Sequence, residues 1–120
     1  MSRRVLIVDD ALFMRSLLRD IFSAAGWEVA GEAEDGHQAL KKFQELRPDL
    51  VTMDIVMPLH SGIDALQDIL AEDPEAVVIM CSALGQESMV MEAIQHGARD
   101  FIVKPFRQEQ VLEVVNRVFA

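Results

Sequence analysis

The stretch Arg4-Val5-Leu6-Ile7-Val8-Asp9-Asp10 decides the fold: a short apolar run that stops abruptly at two carboxylates. Unbroken Val, Leu and Ile, without alternation, mark a strand covered on both faces. The design recurs three times. Leu50 to Met53 runs into Asp54, Ala76 to Cys81 runs into Ser82, and Phe101 to Val103 runs into Lys104-Pro105. Trp27 to Ala33 alternates more weakly and reads as a strand nearer an edge. Between these runs lie helical stripes: Met14, Leu17, Leu18, Ile21, Phe22 and Ala25 closed by Gly26, then Gly36 to Leu46 stopped before Pro48. Ile63, Leu66, Ile69 and Leu70 mark the third helix, Gln86 to His96 the fourth, and Val111, Leu112, Val115, Val118 and Phe119 the fifth. Five strands alternating with five helices predict an α/β domain around a parallel sheet. Right-handed crossovers then divide the helices between its two faces. Three acids, a hydroxyl and an amine are thereby delivered to the carboxyl ends of strands, where such sheets place ligands.

With 120 residues, half of them apolar, the chain reads as a single domain over residues 1–120 that buries a core without staples. Twenty acidic against eleven basic residues give a net charge of −9, which repels nucleic acid and anionic membrane surfaces. Cys81 is the only cysteine, so no internal disulfide forms, and its apolar neighbours predict a buried, unreactive thiol. The apolar run after Met1-Ser2-Arg3-Arg4 is too short for a signal peptide and no run reaches membrane-spanning length, so a cytoplasmic location is expected. With the last helical stripe ending at the C-terminus, no effector domain is expected to follow.

Asp9-Asp10 can be read as a helix cap, since Asp favours that position. Capping uses one acid and leaves the second repelling it; a divalent cation shared with Asp54 relieves both. Asp54, flanked by Met53 and Ile55, is a turn residue if alone, but near a cation and an amine it can act as a nucleophile. Ser82 reads as a cap for the next helix or as a site hydroxyl. Lys104 lies between Val103 and Pro105-Phe106, an apolar setting that calls for a fixed partner, and its bond to Pro105 is a candidate cis peptide. His37, His60 and His96 lack metal-like spacing and read as surface residues. Met89-Val90-Met91 places apolar groups on more than one face of its helix, which fits either an exposed docking surface or a deeply buried helix. No glycine-rich phosphate loop is present.

Taken together, Val8-Asp9-Asp10, Met53-Asp54 with Met57-Pro58 and Gly62, Ser82-Ala83 and Lys104-Pro105-Phe106 resemble the receiver domain of two-component response regulators. The match spans the whole chain with its motifs in order. Phe13-Met14-Arg15, Gly85-Gln86 and Asp100 to Val103 look most like the stand-alone chemotaxis regulators of that family. The resemblance implies a flavodoxin-like, doubly wound five-stranded sheet of order 2-1-3-4-5. It implies that Asp54 accepts a phosphoryl group from a chemotaxis-type histidine kinase, with Mg²⁺ bound by Asp10, Asp54 and the backbone carbonyl of Val56. Asp9 would orient the metal through water, Lys104 and Ser82 would hold phosphoryl oxygens, and Phe101 would stand where the switch aromatic is often tyrosine. Val56 and Leu84 are apolar where some relatives carry polar groups near the attacking water, which predicts a long-lived phosphoaspartate and reliance on a separate phosphatase.

The function expected is a monomeric signalling switch, not an enzyme beyond its own phosphorylation and dephosphorylation. Its target would be the flagellar motor switch protein, met through the face formed by the fourth helix, fifth strand and fifth helix. A phosphorelay shuttle is the alternative. A Mg²⁺-dependent phosphohydrolase using Asp54 covalently is a third, disfavoured because no substrate-lining residues accompany the acids and lysine.

Overall fold

A computed structural model describes residues 3–120. In chain order the elements are β1 (Arg4–Val8), α1 (Leu12–Ala24), β2 (Glu28–Ala33), α2 (Gly36–Leu46), β3 (Leu50–Asp54), α3 (Gly62–Glu72), β4 (Val78–Ser82), α4 (Glu87–Gln95), β5 (Asp100–Val103) and α5 (Gln108–Val118). All strands are parallel, in the order β2-β1-β3-β4-β5, as the resemblance implied. The fourth strand begins at Val78 rather than Ala76, because Ala76 N–H donates to the Asp73 carbonyl at 3.0 Å in the turn after α3. Ala25, expected on the α1 stripe, is instead the exposed cap residue at the end of that helix.

The pleat sorts the core into two layers, because successive strand residues face opposite sides. Val5, Ile7, Leu50, Ile79, Cys81 and Ile102 pack with Leu18, Ile21 and Phe22 of α1 and with Val111 and Val115 of α5. Leu6, Val8, Val51, Met53, Val78 and Met80 pack on the other side with Phe43 of α2, Leu66 and Ile69 of α3, and Val90 and Ala93 of α4. The helices divide two against three, as the crossover rule requires.

This parity also assembles the site. Asp9 follows Ile7 by two residues, Asp54 follows Thr52 by two, and Lys104 follows Ile102 by two, so all three project from the α1/α5 side. Ser82 follows Met80 and belongs to the α4 side.

Thr52 is fully buried and its Oγ1 has no hydrogen-bond partner among the described residues. An unpaired buried hydroxyl is destabilising, whereas a methyl of the same shape is not. Thr52→Val is therefore expected to raise unfolding stability by about 1 kcal/mol in a urea melt; an unchanged or lower midpoint would mean that the hydroxyl is paired in solution.

Candidate functional site

Asp9, Asp10 and Asp54 each offer a carboxylate oxygen, all within 4.8 Å of one another. Asp9 and Asp54 are buried and Asp10 is exposed. The Lys104 Nζ donates to Asp9 Oδ2 at 2.8 Å and lies 3.4 Å from Asp54 Oδ1. One ammonium thus faces two buried carboxylates, with a third beside them. Burial and the Asp9 charge raise Asp54 from the ordinary aspartate value of 3.8 to about 6, against the opposing pull of Lys104. Burial works against the Lys104 charge, but its hydrogen bond to Asp9 and the charges of Asp54 and Asp9 outweigh burial and raise its pKa. A raised aspartate beside an already committed lysine signals negative charge in excess. An all-oxygen, carboxylate-rich donor set with that excess fits a hard divalent cation.

Capping does not account for the acids. The cap residue of α1 is Ala11, with no side-chain cap; Asp9 Oδ1 instead accepts from Ala11 N–H at 2.9 Å in an Asx turn. Ser82 caps nothing either, since it is a buried residue of β4 and the cap of α4 is Gln86. Its backbone carbonyl accepts from Lys104 N–H at 2.7 Å, which ties the ends of β4 and β5 together. The Lys104-Pro105 peptide is cis.

Gly62 seats Asp54: a Cβ at that position would lie 2.0 Å from the Asp54 carbonyl oxygen. Only glycine lets the start of α3 come so close, and Gly62 N–H then donates to the Ile55 carbonyl at 2.8 Å. Val56, exposed, lies in the loop between Asp54 and Gly62. Leu12, Phe13, Leu59 and Leu84 are also exposed, on the loops and helix starts that follow the carboxyl ends of the strands.

On the α4 side, Ser82 lines an apolar hollow of about 200 Å³ with Val90, Met91, Val103 and Phe101. Phe101 is 40% exposed and borders this hollow without filling it. Of Met89-Val90-Met91 only Val90 is buried, so the deeply buried alternative for α4 is excluded. Cys81 is buried and free, its thiol pushed up to about 12 by burial, as an inert core residue should be.

The residues read from sequence are therefore found in two groups: Asp9, Asp10, Asp54 and Lys104 together, and Ser82 with Phe101 across the sheet edge. Two features were missed. His60 is half-buried rather than on the surface, stacked on His37 with ring centroids 4.5 Å apart and bonded through Nε2 to Asp68 Oδ2 at 2.8 Å. Arg15 is buried, and its Nη1 donates to the Asp9 carbonyl at 2.7 Å. Its Nε donates to Glu32 Oε1 at 3.1 Å, and Arg19 also binds Glu32. Burial opposes the Glu32 charge, but Arg19 and Arg15 outweigh it and hold Glu32 below the usual carboxylate range. The signal for Arg15 was present, since Arg15, Leu18 and Phe22 share one helix face at i, i+3 and i+7.

No helix of the described residues is long and apolar enough to cross a membrane. The response regulator receiver domain family matches residues 5–116. The chain is 58% identical to the chemotaxis protein CheY of Thermotoga maritima over 98% of each chain, and 57% identical to that of Bacillus subtilis over the same share. The fold superposes with a TM-score of 0.94 on a chain of the CheX–CheY–BeF3–Mg²⁺ complex from Borrelia burgdorferi, at 42% identity over 98% of this chain and 90% of that one. These full-length relatives are chemotaxis proteins rather than metabolic enzymes, in line with the reading of a regulator. The parallel sheet, the acid cluster at its carboxyl edge and this likeness agree: the chain belongs to the response regulator receiver domain family and is similar over nearly its whole length to regulators of the CheY type.

Proposed function

We propose that this chain is a stand-alone chemotaxis switch that takes a phosphoryl group onto Asp54 from a histidine kinase. The observation that carries this reading is the placement of one buried carboxylate, Asp54, within 4.8 Å of two further acids and 3.4 Å from a lysine ammonium. Asp10, Asp54 and the Val56 carbonyl would hold Mg²⁺, with Asp9 orienting it through water. The ion supplies positive charge for a transition state whose negative charge is spread over the phosphoryl oxygens. At neutral pH Asp54, with its pKa of about 6, is mostly ionised and so nucleophilic. An Asp54 carboxylate oxygen forms the new O–P bond as the N–P bond of the donor breaks, the imidazole nitrogen leaving with the electron pair. Lys104, already fixed by Asp9, pairs with a phosphoryl oxygen, and the Ser82 hydroxyl bonds another.

The phosphoryl group brings about −1.5 to −2 charge, enough to draw Ser82 and its loop toward it. That shift lets Phe101 turn into the hollow beside Ser82, biasing the surface of α4, β5 and α5. Met89 and Met91, exposed on α4, give that surface its apolar content. The target proposed is the flagellar motor switch protein. The test is incubation with a small phosphodonor and Mg²⁺, expected to give one acid-stable, base-labile phosphate per chain. Sustained turnover of a phosphate ester would support a phosphohydrolase instead, and transfer onward to a histidine phosphotransfer protein would support a shuttle. Which protein co-purifies only with the beryllofluoride-loaded chain identifies the partner.

Val56 and Leu84 offer nothing to orient an attacking water, so the phosphoaspartate should be long-lived and a separate phosphatase should remove it. Val56→Asn with Leu84→Glu is expected to speed unassisted dephosphorylation by about tenfold, short of the roughly 10²–10⁴-fold that a fully positioned acid or base supplies. An unchanged decay rate, followed by loss of the radiolabel, would sink that idea.

A further inference from the structure

We propose that Arg15 is a positioning residue for the acid cluster: by holding the Asp9 carbonyl it sets the peptide that presents Asp10 to the cation. This rests on the proposed function, since it concerns the same Mg²⁺ site.

Asp9 is held at every polar group. Its N–H donates to the Ala33 carbonyl at 3.1 Å, its Oδ1 accepts from Ala11, its Oδ2 from Lys104, and its carbonyl from Arg15 Nη1 at 2.7 Å. Asp10, by contrast, is exposed and forms no salt bridge among the described residues. The direction of its side chain therefore follows from the Asp9–Asp10 peptide, and Arg15 is the side chain that grips that peptide. Arg15 is itself fixed: Glu32 at 3.1 Å and Glu34 at 3.6 Å neutralise it from β2 and the turn after it. A rigid planar fork serving a carbonyl and a carboxylate at once is something lysine cannot reproduce.

The two possible roles of a buried arginine near a cation site differ in sign. If Arg15 acted through its charge, removing it would tighten Mg²⁺ binding, because one repelling cation would be gone. If it acts by holding the peptide, removing it loosens a carboxylate ligand, and outer partners of ligands are typically worth tenfold or more in metal affinity.

The experiment is calorimetric titration of the unphosphorylated chain with Mg²⁺ alone. Arg15→Met is expected to weaken Mg²⁺ binding by about tenfold. Arg15→Lys, which keeps the charge but not the fork, is expected to fall between, and it carries the test if the Met variant does not fold. Arg19→Met removes the other partner of Glu32 and leaves the Asp9 contact in place; its Mg²⁺ affinity is expected to match the parent. Unchanged or tighter binding in Arg15→Met, a parent-like Arg15→Lys, or an equal loss in Arg19→Met would each overturn the proposal. Failure of the parent chain to bind Mg²⁺ would overturn the proposed function instead.

Discussion

Asp54→Asn is expected to abolish phosphate acceptance completely and, in chelator at pH 7.5, to make the protein more stable. The first effect follows because the amide oxygen is no nucleophile toward phosphorus. The second follows from the site's own electrostatics. Asp54 rises from 3.8 to about 6 on folding, driven first by burial and then by Asp9. In this window the native state binds more protons than the unfolded chain, so the contribution of Asp54 to stability is full below the unfolded value. It is lost as pH rises through about 6. A shift of that size spans about 3 kcal/mol, reduced to about 1–2 kcal/mol by solvent reaching the rim of the site. Calorimetric melts should therefore show the Asn variant ahead at pH 7.5 and level with the parent at pH 4.5. Mg²⁺ should narrow the gap at pH 7.5, since the cation relieves in the parent the repulsion that Asn removes. A variant less stable than the parent at pH 7.5 would show that Asp54 is adequately paired by Lys104. Such a residue trades stability for function, as strained functional sites commonly do.

Lys104→Met is expected to act in the opposite direction, destabilising the metal-free protein by about 2 kcal/mol at pH 7.5. Asp9 is 1% exposed and Lys104 is its only cationic partner within salt-bridge range among the described residues. Removing one member of a buried pair strands the other charge, which costs about 3–5 kcal/mol when both are dry. Lys104 is half-buried, hence the smaller figure. Its pKa is raised in the fold, so the pair's stabilisation is complete at neutral pH and is lost only as pH rises through the raised value. Toward acid the cost of the substitution should shrink, because Asp54 takes up a proton as pH falls through about 6. The variant should still accept phosphate onto Asp54 but should fail to reorganise around it. Beryllofluoride and Mg²⁺ should then no longer raise its affinity for the partner. Parent-like stability, or a retained affinity gain, would show that Lys104 neither holds Asp9 nor couples the phosphoryl group to the partner surface.

Much of the fold was legible in the sequence because strand ends are conspicuous. Val8-Asp9, Met53-Asp54 and Val103-Lys104 are sharp changes from apolar to charged, and the right-handed crossover brings all such ends to one edge of the sheet. What could not be read was which of those ends share a face. That depends on pleat register, and a shift of one residue sends a side chain to the other layer. Ser82 is the instance: equal in rank to the acids in the sequence, it faces Phe101 and α4 rather than their carboxylates. Arg15 escaped because charge is assigned to solvent by default, although its spacing from Leu18 and Phe22 put it on the buried stripe. His60 escaped because its stacking partner, His37, comes from a different segment of the chain, and sequence carries no sign of that approach.

The bond between Lys104 and Asp9 joins residues 95 positions apart, from the final strand to the first. β1 lies inside the sheet and β5 at its border, three strands away along the order β1-β3-β4-β5. Contacts of such long sequence separation form late, since their loop-closure entropy must be met before they reward the chain. Asp9 and Asp54 stand at the ends of the neighbouring strands β1 and β3, whereas the ammonium that faces them comes only with β5. The bond thus makes the charge balance of the first strand's end a measure of the fold's completeness: Asp9 has its counter-charge only in a chain whose last strand has joined the sheet.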